Sequence, residues 1–263
     1  MNSRIQDLAT YNDVDVLFLG SSHAYRGYDP RIFMKYGIKS FNLGSSSQTP
    51  IQTEILLKRY LNSLNPKLVV FEVSPGTLSR DGVESALDLI ANGRIDYLSI
   101  KMALDLNHVT VYNTLIYGMI RDLLNLDSDF VVPIQQGKDT YVKGGFVERE
   151  ITFFENNKAD SLKKWELVKY QKEAFERILK KFKKLKINVI LVQAPVTKER
   201  YDSYSNNSAI DFYFKSLADY YNFNNILNLP STSYFYDSHH LNQDGVKIFN
   251  ESLLNTLKNS NHF

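Results

Sequence analysis

Cysteine is absent from the 263-residue chain. Its absence removes thiol nucleophiles, disulfides and thiolate metal sites, and leaves the cellular compartment undecided by cysteine usage. An excess of either charge is also missing, with 31 Lys and Arg against 29 acidic residues, a formal +2. So even a balance gives no global case for a nucleic-acid partner. No apolar run reaches the roughly 18–20 residues that a membrane-spanning helix needs. The nearest, Val109 to Ile120, is bounded by His108 and Arg121. The opening residues, Met1 to Asp7, hold no apolar stretch and no small-residue cleavage site, so no signal peptide is expected here. A strand follows soon after Met1, which leaves room for an anchor upstream. With such an anchor the expected location is the cell envelope outside the cytoplasm; without it, the cytoplasm. The nucleotide-binding loops G-x-G-x-x-G and G-x-x-x-x-G-K-[ST] do not occur at the first turn, and no cofactor is implied. Nor does G-x-S-x-G occur there, which excludes the α/β-hydrolase elbow.

What is present is ordinary globular composition, 43% hydrophobic and 23% charged. The length suits one domain over residues 1–263 with an insertion at about 92–160. Val14 to Leu19 reads as a buried strand, followed by strands at Ile38 to Leu43, Lys67 to Val73 and Ile187 to Val192. A short fifth strand is expected at Ile226 to Leu229. Helical spacing covers Ile51 to Leu61, Glu84 to Ala91, Leu98 to Leu124 (as one or two helices), Ser161 to Lys186, Ser208 to Tyr221 and Gln243 to Leu257. Residues Asp127 to Lys158 have few periodic apolar positions and read as a long ordered loop or small insertion, either covering a site or without a role. Strand, helix, strand with short connections predicts α/β architecture: a three-layer α/β/α, flavodoxin-like domain with about five parallel strands and a mostly helical insertion.

Two stretches carry chemistry. The first strand breaks off into Gly20-Ser21-Ser22-His23, a small polar turn at the edge of the sheet where ligands gather in open α/β folds. Ser22 there is a nucleophile or a helix cap. The second is Asp237-Ser238-His239-His240-Leu241-Asn242. Asp237 and His240, three apart in a turn, allow the carboxylate to hold the Nδ1 proton and leave Nε2 free as a base. Both loops fall on one sheet edge, so Ser22 can supply the hydroxyl and complete a Ser…Asp…His triad. His23 and His239 are the tempting neighbours, with packing the simpler role for His23. A metal reading of His23, Asp237, His239 and His240 lacks a helical His pair such as H-E-x-x-H, and no metal is expected. The lysines from Lys180 to Lys186 read as a solvated helix face, and Trp165 as packing.

With these residues in view, Gly20-Ser21-Ser22-His23 resembles the first block of the SGNH/GDSL hydrolases, with Ser21 where Asp is usual. Asn42-Leu43-Gly44 resembles the second block, and Asp237-x-x-His240-Leu241-Asn242-x-x-Gly245 resembles the last at every defined position. The resemblance implies an SGNH-hydrolase fold and a serine esterase or O-acyltransferase that works through an acyl-enzyme. Ser22 would be the nucleophile, His240 the base and Asp237 its orienter, with an oxyanion hole from the amides of Ser22 and Gly44. The third block departs from the pattern. Ser74-Pro75-Gly76 stands where Gly-x-Asn is usual, so Ser74 or a backbone amide is the replacement expected for a missing oxyanion donor. The Ser-Pro ending resembles SGNH-like proteins of cell-envelope polymer modification, of the D-alanine transfer and alginate O-acetyltransferase type. That likeness implies an acylated carbohydrate or other ester as substrate and a membrane-bound acyltransferase as partner. The rival is a catalytically silent glycan- or partner-binding domain on the same scaffold.

Overall fold

The computed structural model describes residues 2–126, 133–155 and 161–260. Its centre is a parallel five-stranded sheet. The strands are β1 (Val16–Leu19), β2 (Ser40–Asn42), β3 (Leu68–Glu72), β7 (Asn188–Gln193) and β8 (Asp219–Asn222), in the order β2-β1-β3-β7-β8. Counting these five alone, the order is 2-1-3-4-5, that of doubly wound flavodoxin-like sheets. The register sets Val16 opposite both Ser40 and Leu68, and Glu72 opposite Val192.

The central strands are buried on both faces, which explains why they read as unbroken apolar runs. Alternate residues serve opposite cores. Leu17, Leu19, Val69, Phe71 and Leu191 pack under the helices Pro50–Leu64, Val83–Asn92 and Lys169–Leu185. Val16, Phe18, Leu68, Val70, Ile190 and Val192 pack under Gln243–Asn259 and two short helices, Ser22–Gly27 and Pro30–Met34. Helix, sheet, helix makes three layers. The longer helices begin and end where the sequence chemistry requires. Thr49 and Gln52 form a capping box ahead of Pro50–Leu64, and Asn65 ends that helix in the left-handed region.

Three expectations need correction. The fifth strand lies at Asp219–Asn222, and the preceding helix stops at Lys215; Ile226 to Leu229 is not a strand. Asp-Tyr-Tyr-Asn has no apolar run because it is an edge strand with little of its surface buried, while Leu227 and Leu229 pack against the second core instead. The helix expected from Ser161 begins only at Lys169. Before it Lys163 bridges to Tyr204 and Trp165 hydrogen-bonds Asn206. Of the two readings for Asp127 to Lys158, the long loop gives way to the small insertion, which contains an antiparallel sheet of β4 (Gln135–Gln136), β5 (Asp139–Val142) and β6 (Phe146–Arg149). Residues 127–132 and 156–160 of that stretch lie outside the described residues. Leu98 to Leu124 is two helices, Tyr97–Leu106 and Val109–Leu124, separated at Asn107 with φ 44°.

The small sheet docks through its β5–β6 turn. Asn42 N donates to Gly144 O at 2.7 Å, and Gly144 N donates to Asp7 Oδ2 at 2.7 Å. Arg4 donates to Gly145 O through Nε and an NH2. Gly145 has φ +87°, and a Cβ there would sit 2.0 Å from Asn42 O, so only glycine fits.

Candidate active site

The nucleophile turn begins at Gly20, whose φ is +139° and whose missing Cβ would lie 2.8 Å from the Cβ of Glu72. Glycine lets β1 turn sharply against β3 and deliver Ser22 as the first residue of the Ser22–Gly27 helix. The other half of the site is set by the last helix. Asn242 caps it, accepting from Gly245 N at 3.1 Å. Its Nδ2 donates to Ser233 O at 2.9 Å. A Cβ on Gly245 would lie 2.4 Å from Tyr234 O, and Leu241 is buried beside it. The Leu-Asn-x-x-Gly part of the motif is therefore structural: it pins the loop that carries Asp237 and His240.

Those two ends meet. His240 Nε2 is 2.8 Å from Ser22 Oγ, and His240 Nδ1 is 2.8 Å from Asp237 Oδ2. The other carboxylate oxygen, Oδ1, accepts from the backbone amides of His239 and His240, both at 2.8 Å. Burial works against the charge on Asp237. The hydrogen bond from His240, with the neighbouring His239 and its amide, outweighs it and holds the carboxyl well below its ordinary range. An ionised Asp237 only accepts, so Nδ1 carries the imidazole proton and Nε2 presents its lone pair to the Ser22 hydroxyl. Tyr236 stacks on the His240 ring at 5.3 Å with an 8° tilt, and Arg149 lies over Tyr236 at 4.9 Å.

Among the residues expected to serve an oxyanion hole, the picture is mixed. Ser22 and Ser74 line one cleft of about 830 Å³ together with Asp237 and His240. Gly44 does not line it. Its amide donates to Asn42 Oδ1 at 3.1 Å, and a Cβ there would crowd Gly20 O, Ala24 and Ser21 O at 2.9–3.0 Å. This corrects the expectation that the Gly44 amide is free for an oxyanion. Asn42, to which the sequence assigned no role of its own, is fully buried and donates to Ala24 O at 2.7 Å. It thereby ties the β2 end to the helix that carries Ser22. The expected packing residue Trp165 does pack, stacked on Tyr204 at 3.6 Å and 4°, and both rings also form a wall of the cleft.

His239 sits beside the relay, with Nδ1 3.2 Å from Ser238 Oγ and 3.3 Å from Asp237 Oδ1. Burial, with the neighbouring His240 adding to it, brings its pKa down to about 4. Donor atoms of Asp237, His239 and His240 lie within 4.8 Å of one another, close enough to consider a metal. Both His240 nitrogens are already partnered, by Asp237 and Ser22, and that arrangement fits proton transfer better than ligation.

One feature below the triad was not legible. His23, half-buried with both ring nitrogens out of solvent, lies beside the fully buried Glu72, with His23 Nδ1 3.9 Å from Glu72 Oε1. Neither His23 nitrogen has a hydrogen-bond partner, and neither Glu72 carboxylate oxygen has one of good geometry, although the backbone amides of Ser74, Ala194 and Ser21 face that carboxyl. Burial pushes the Glu72 carboxyl up to about 8, with the amides of Ser74, Ala194 and Ser21 pulling more weakly the other way. Burial also drives the His23 pKa well down, and the neighbouring His240 adds to that. Both groups are therefore neutral at pH 7, and their spacing carries no ion pair. The sole signal in the sequence was a glutamate in an otherwise apolar strand.

No family model matches the chain, and no curated protein matches it. Its fold resembles GDSL-like lipases. A GDSL-like lipase from Bacteroides thetaiotaomicron aligns over 97% of this chain and 95% of its own, at 14% identity and a TM-score of 0.49. A candidate platelet activating factor from Streptococcus pneumonia aligns over 97% and 88%, at 11% identity and a TM-score of 0.49. A candidate acylhydrolase from Bacteroides fragilis aligns over 97% and 94%, at 11% identity and a TM-score of 0.42.

Proposed function

We propose that the protein is an SGNH-type serine esterase or O-acyltransferase that works through a covalent acyl-enzyme on an ester-linked acyl group of a carbohydrate or cell-envelope polymer. The observation that carries this reading is the continuous chain from Ser22 Oγ to His240 to Asp237, each link 2.8 Å long. As Ser22 Oγ bonds to the ester carbonyl carbon, its proton passes to His240 Nε2, and the imidazolium is stabilised by Asp237. When the tetrahedral intermediate collapses, the ester C–O bond breaks and His240 returns the proton to the departing alcohol. A second acceptor then attacks the acyl-Ser22 carbonyl, gives its proton to His240 and releases Ser22 Oγ, which takes the proton back. Water as acceptor gives a hydrolase; a sugar hydroxyl gives an acyltransferase.

The oxyanion needs donors. The reading assigns the Ser22 amide, with Ser74 from the end of β3 as its companion. The bond between Gly44 N and Asn42 Oδ1 must be shared or broken before Gly44 can contribute. That same bond favours the second reading, a silent binding domain in which the triad survives without a working hole. A fluorophosphonate probe separates the two. Intact-mass measurement on the esterase reading shows one covalent adduct on the native chain and none on Ser22→Ala. An unlabelled native chain supports the silent domain.

A further inference from the structure

The cleft holds more positive charge than its own residues neutralise. Four arginines line it (Arg26, Arg80, Arg149 and Arg200) against two carboxylates, Glu84 and Asp237. Asp237 is committed to His240, and Glu84 lies 3.6 Å from Arg80. Arg26 and Arg149 share one carboxylate, Asp139. Arg26 takes it at 3.0 and 2.7 Å and Arg149 at 3.2 Å, which leaves the buried Nε of Arg149 without a partner.

Arg200 has no acidic partner among the described residues. The acids nearest to it in sequence are turned elsewhere: Glu199 accepts from Ser231 Oγ at 2.6 Å, and Asp202 pairs with Lys198 at 2.5 Å. The Arg200 guanidinium lies over the Tyr204 ring at 5.9 Å, next to the Trp165–Tyr204 stack. Its position is registered to the triad. Thr197 caps the Lys198–Asp202 helix and accepts from Arg200 N at 3.4 Å. Thr197 itself, fully buried, donates to Ser238 O through N at 3.2 Å and Oγ1 at 2.9 Å, within the loop between Asp237 and His240. The field of Arg200 is felt at His23 and His239, both of which it disfavours from charging. Those histidines are neutral near pH 7, so the positive character of the cleft comes from arginine.

We propose that Arg200 holds an anionic group of the substrate, a carboxylate or a phosphate, so that the cleft selects acidic acylated carbohydrates over neutral ones. A guanidinium without a carboxylate partner forms strong charge-assisted, often bidentate, hydrogen bonds to such groups. The aromatic wall beside it offers a flat apolar surface for the face of a sugar ring. The assignment rests on the esterase reading and adds a substrate class to it.

The test uses glucuronate and glucose 6-phosphate as competitive inhibitors of 4-nitrophenyl acetate turnover by the full chain, with glucose as the neutral control. The expected result is that at least one anion competes about tenfold more strongly than glucose. Competition by both marks a general anion site; competition by one alone identifies carboxylate or phosphate as the group read. Arg200→Gln abolishes that advantage, and Arg200→Lys keeps part of it. Lys198→Gln, which removes the same charge from an exposed position on the same helix, keeps all of it. Equal competition by glucose overturns the proposal, and so does an equal loss in Lys198→Gln, which would mean diffuse attraction instead of a site. If the native chain shows no Ser22-dependent turnover, the esterase reading fails. Calorimetric titration of Ser22→Ala with the same three sugars then decides the Arg200 assignment by itself, and no preference for either anion overturns it.

Discussion

Two histidine environments, with ring centroids 5.3 Å apart, show what makes a polar group functional in this protein. His240 has a partner on each ring nitrogen, one acidic and one a hydroxyl. His23 directly follows the candidate nucleophile in sequence, yet both of its nitrogens are buried and unpartnered, against a carboxyl whose oxygens lack a partner of good geometry. The first environment is arranged to move a proton. The second is a neutral packing layer beneath it, made of groups that ordinarily charge, and it costs stability because they cannot. Adjacency in sequence says little about role; hydrogen-bond partners decide it.

The largest effect that can break this comparison is on the upper layer. Ser22→Ala and His240→Ala each lower kcat/KM for an ester by about 10⁴-fold or more, and Asp237→Asn by roughly 10²–10⁴-fold, read by steady-state kinetics. A triad variant with near-native activity would remove the distinction between the layers.

The lower layer is tested through pH. Glu72 binds its proton up to about pH 8 in the folded chain, whereas an unfolded glutamate releases it near 4.5. Between those values the folded state holds the extra proton, so the stabilising contribution is complete below about 4.5 and is lost as pH rises toward 8. Glu72→Gln keeps the shape, never ionises and removes that slope. At pH 9 it should be more stable than the native chain by on the order of 2–5 kcal/mol, as measured by chemical denaturation. An unchanged slope would show that Glu72 is charged and partnered after all.

The contact between the layers is tested at Gly20. Gly20→Ala forces a Cβ to 2.8 Å from Glu72 at a φ of +139°, which should cost roughly 2–4 kcal/mol of stability. The smallest effect is expected from His23→Leu, which replaces a ring with unpartnered nitrogens by an apolar side chain. Stability should change by less than about 1 kcal/mol, or rise, and activity should fall less than tenfold. A loss as large as that of His240→Ala would place His23 in the upper layer.

Much of this site was legible in the sequence because its pieces are local. Asp237 and His240 lie within one turn, Ser22 ends a buried strand, and Asn242 and Gly245 mark the start of the last helix. The strands at the middle of the sheet were legible for the same reason, since burial on both faces forces continuous apolar runs. Asp219–Asn222 and the β4–β6 sheet were not. Their strands are polar or half exposed, and pairing with neighbours stabilises them more than their own side chains do. Arg26 reaches Asp139, and the Asn42 amide donates to the Gly144 carbonyl, through contacts between residues far apart in the chain.

The sequence by itself determined the α/β class, the buried strands and the three side chains of the candidate relay. Periodicity and short-range spacing are properties of neighbouring residues, so they survive without coordinates. Tertiary structure alone decided which donors are spent and which are free. It set His23 against Glu72 with both His23 nitrogens buried and unpartnered, and left Arg200 without a carboxylate among the described residues. Whether a polar group is satisfied depends on atoms brought close from distant positions in the chain, and no window of sequence contains them.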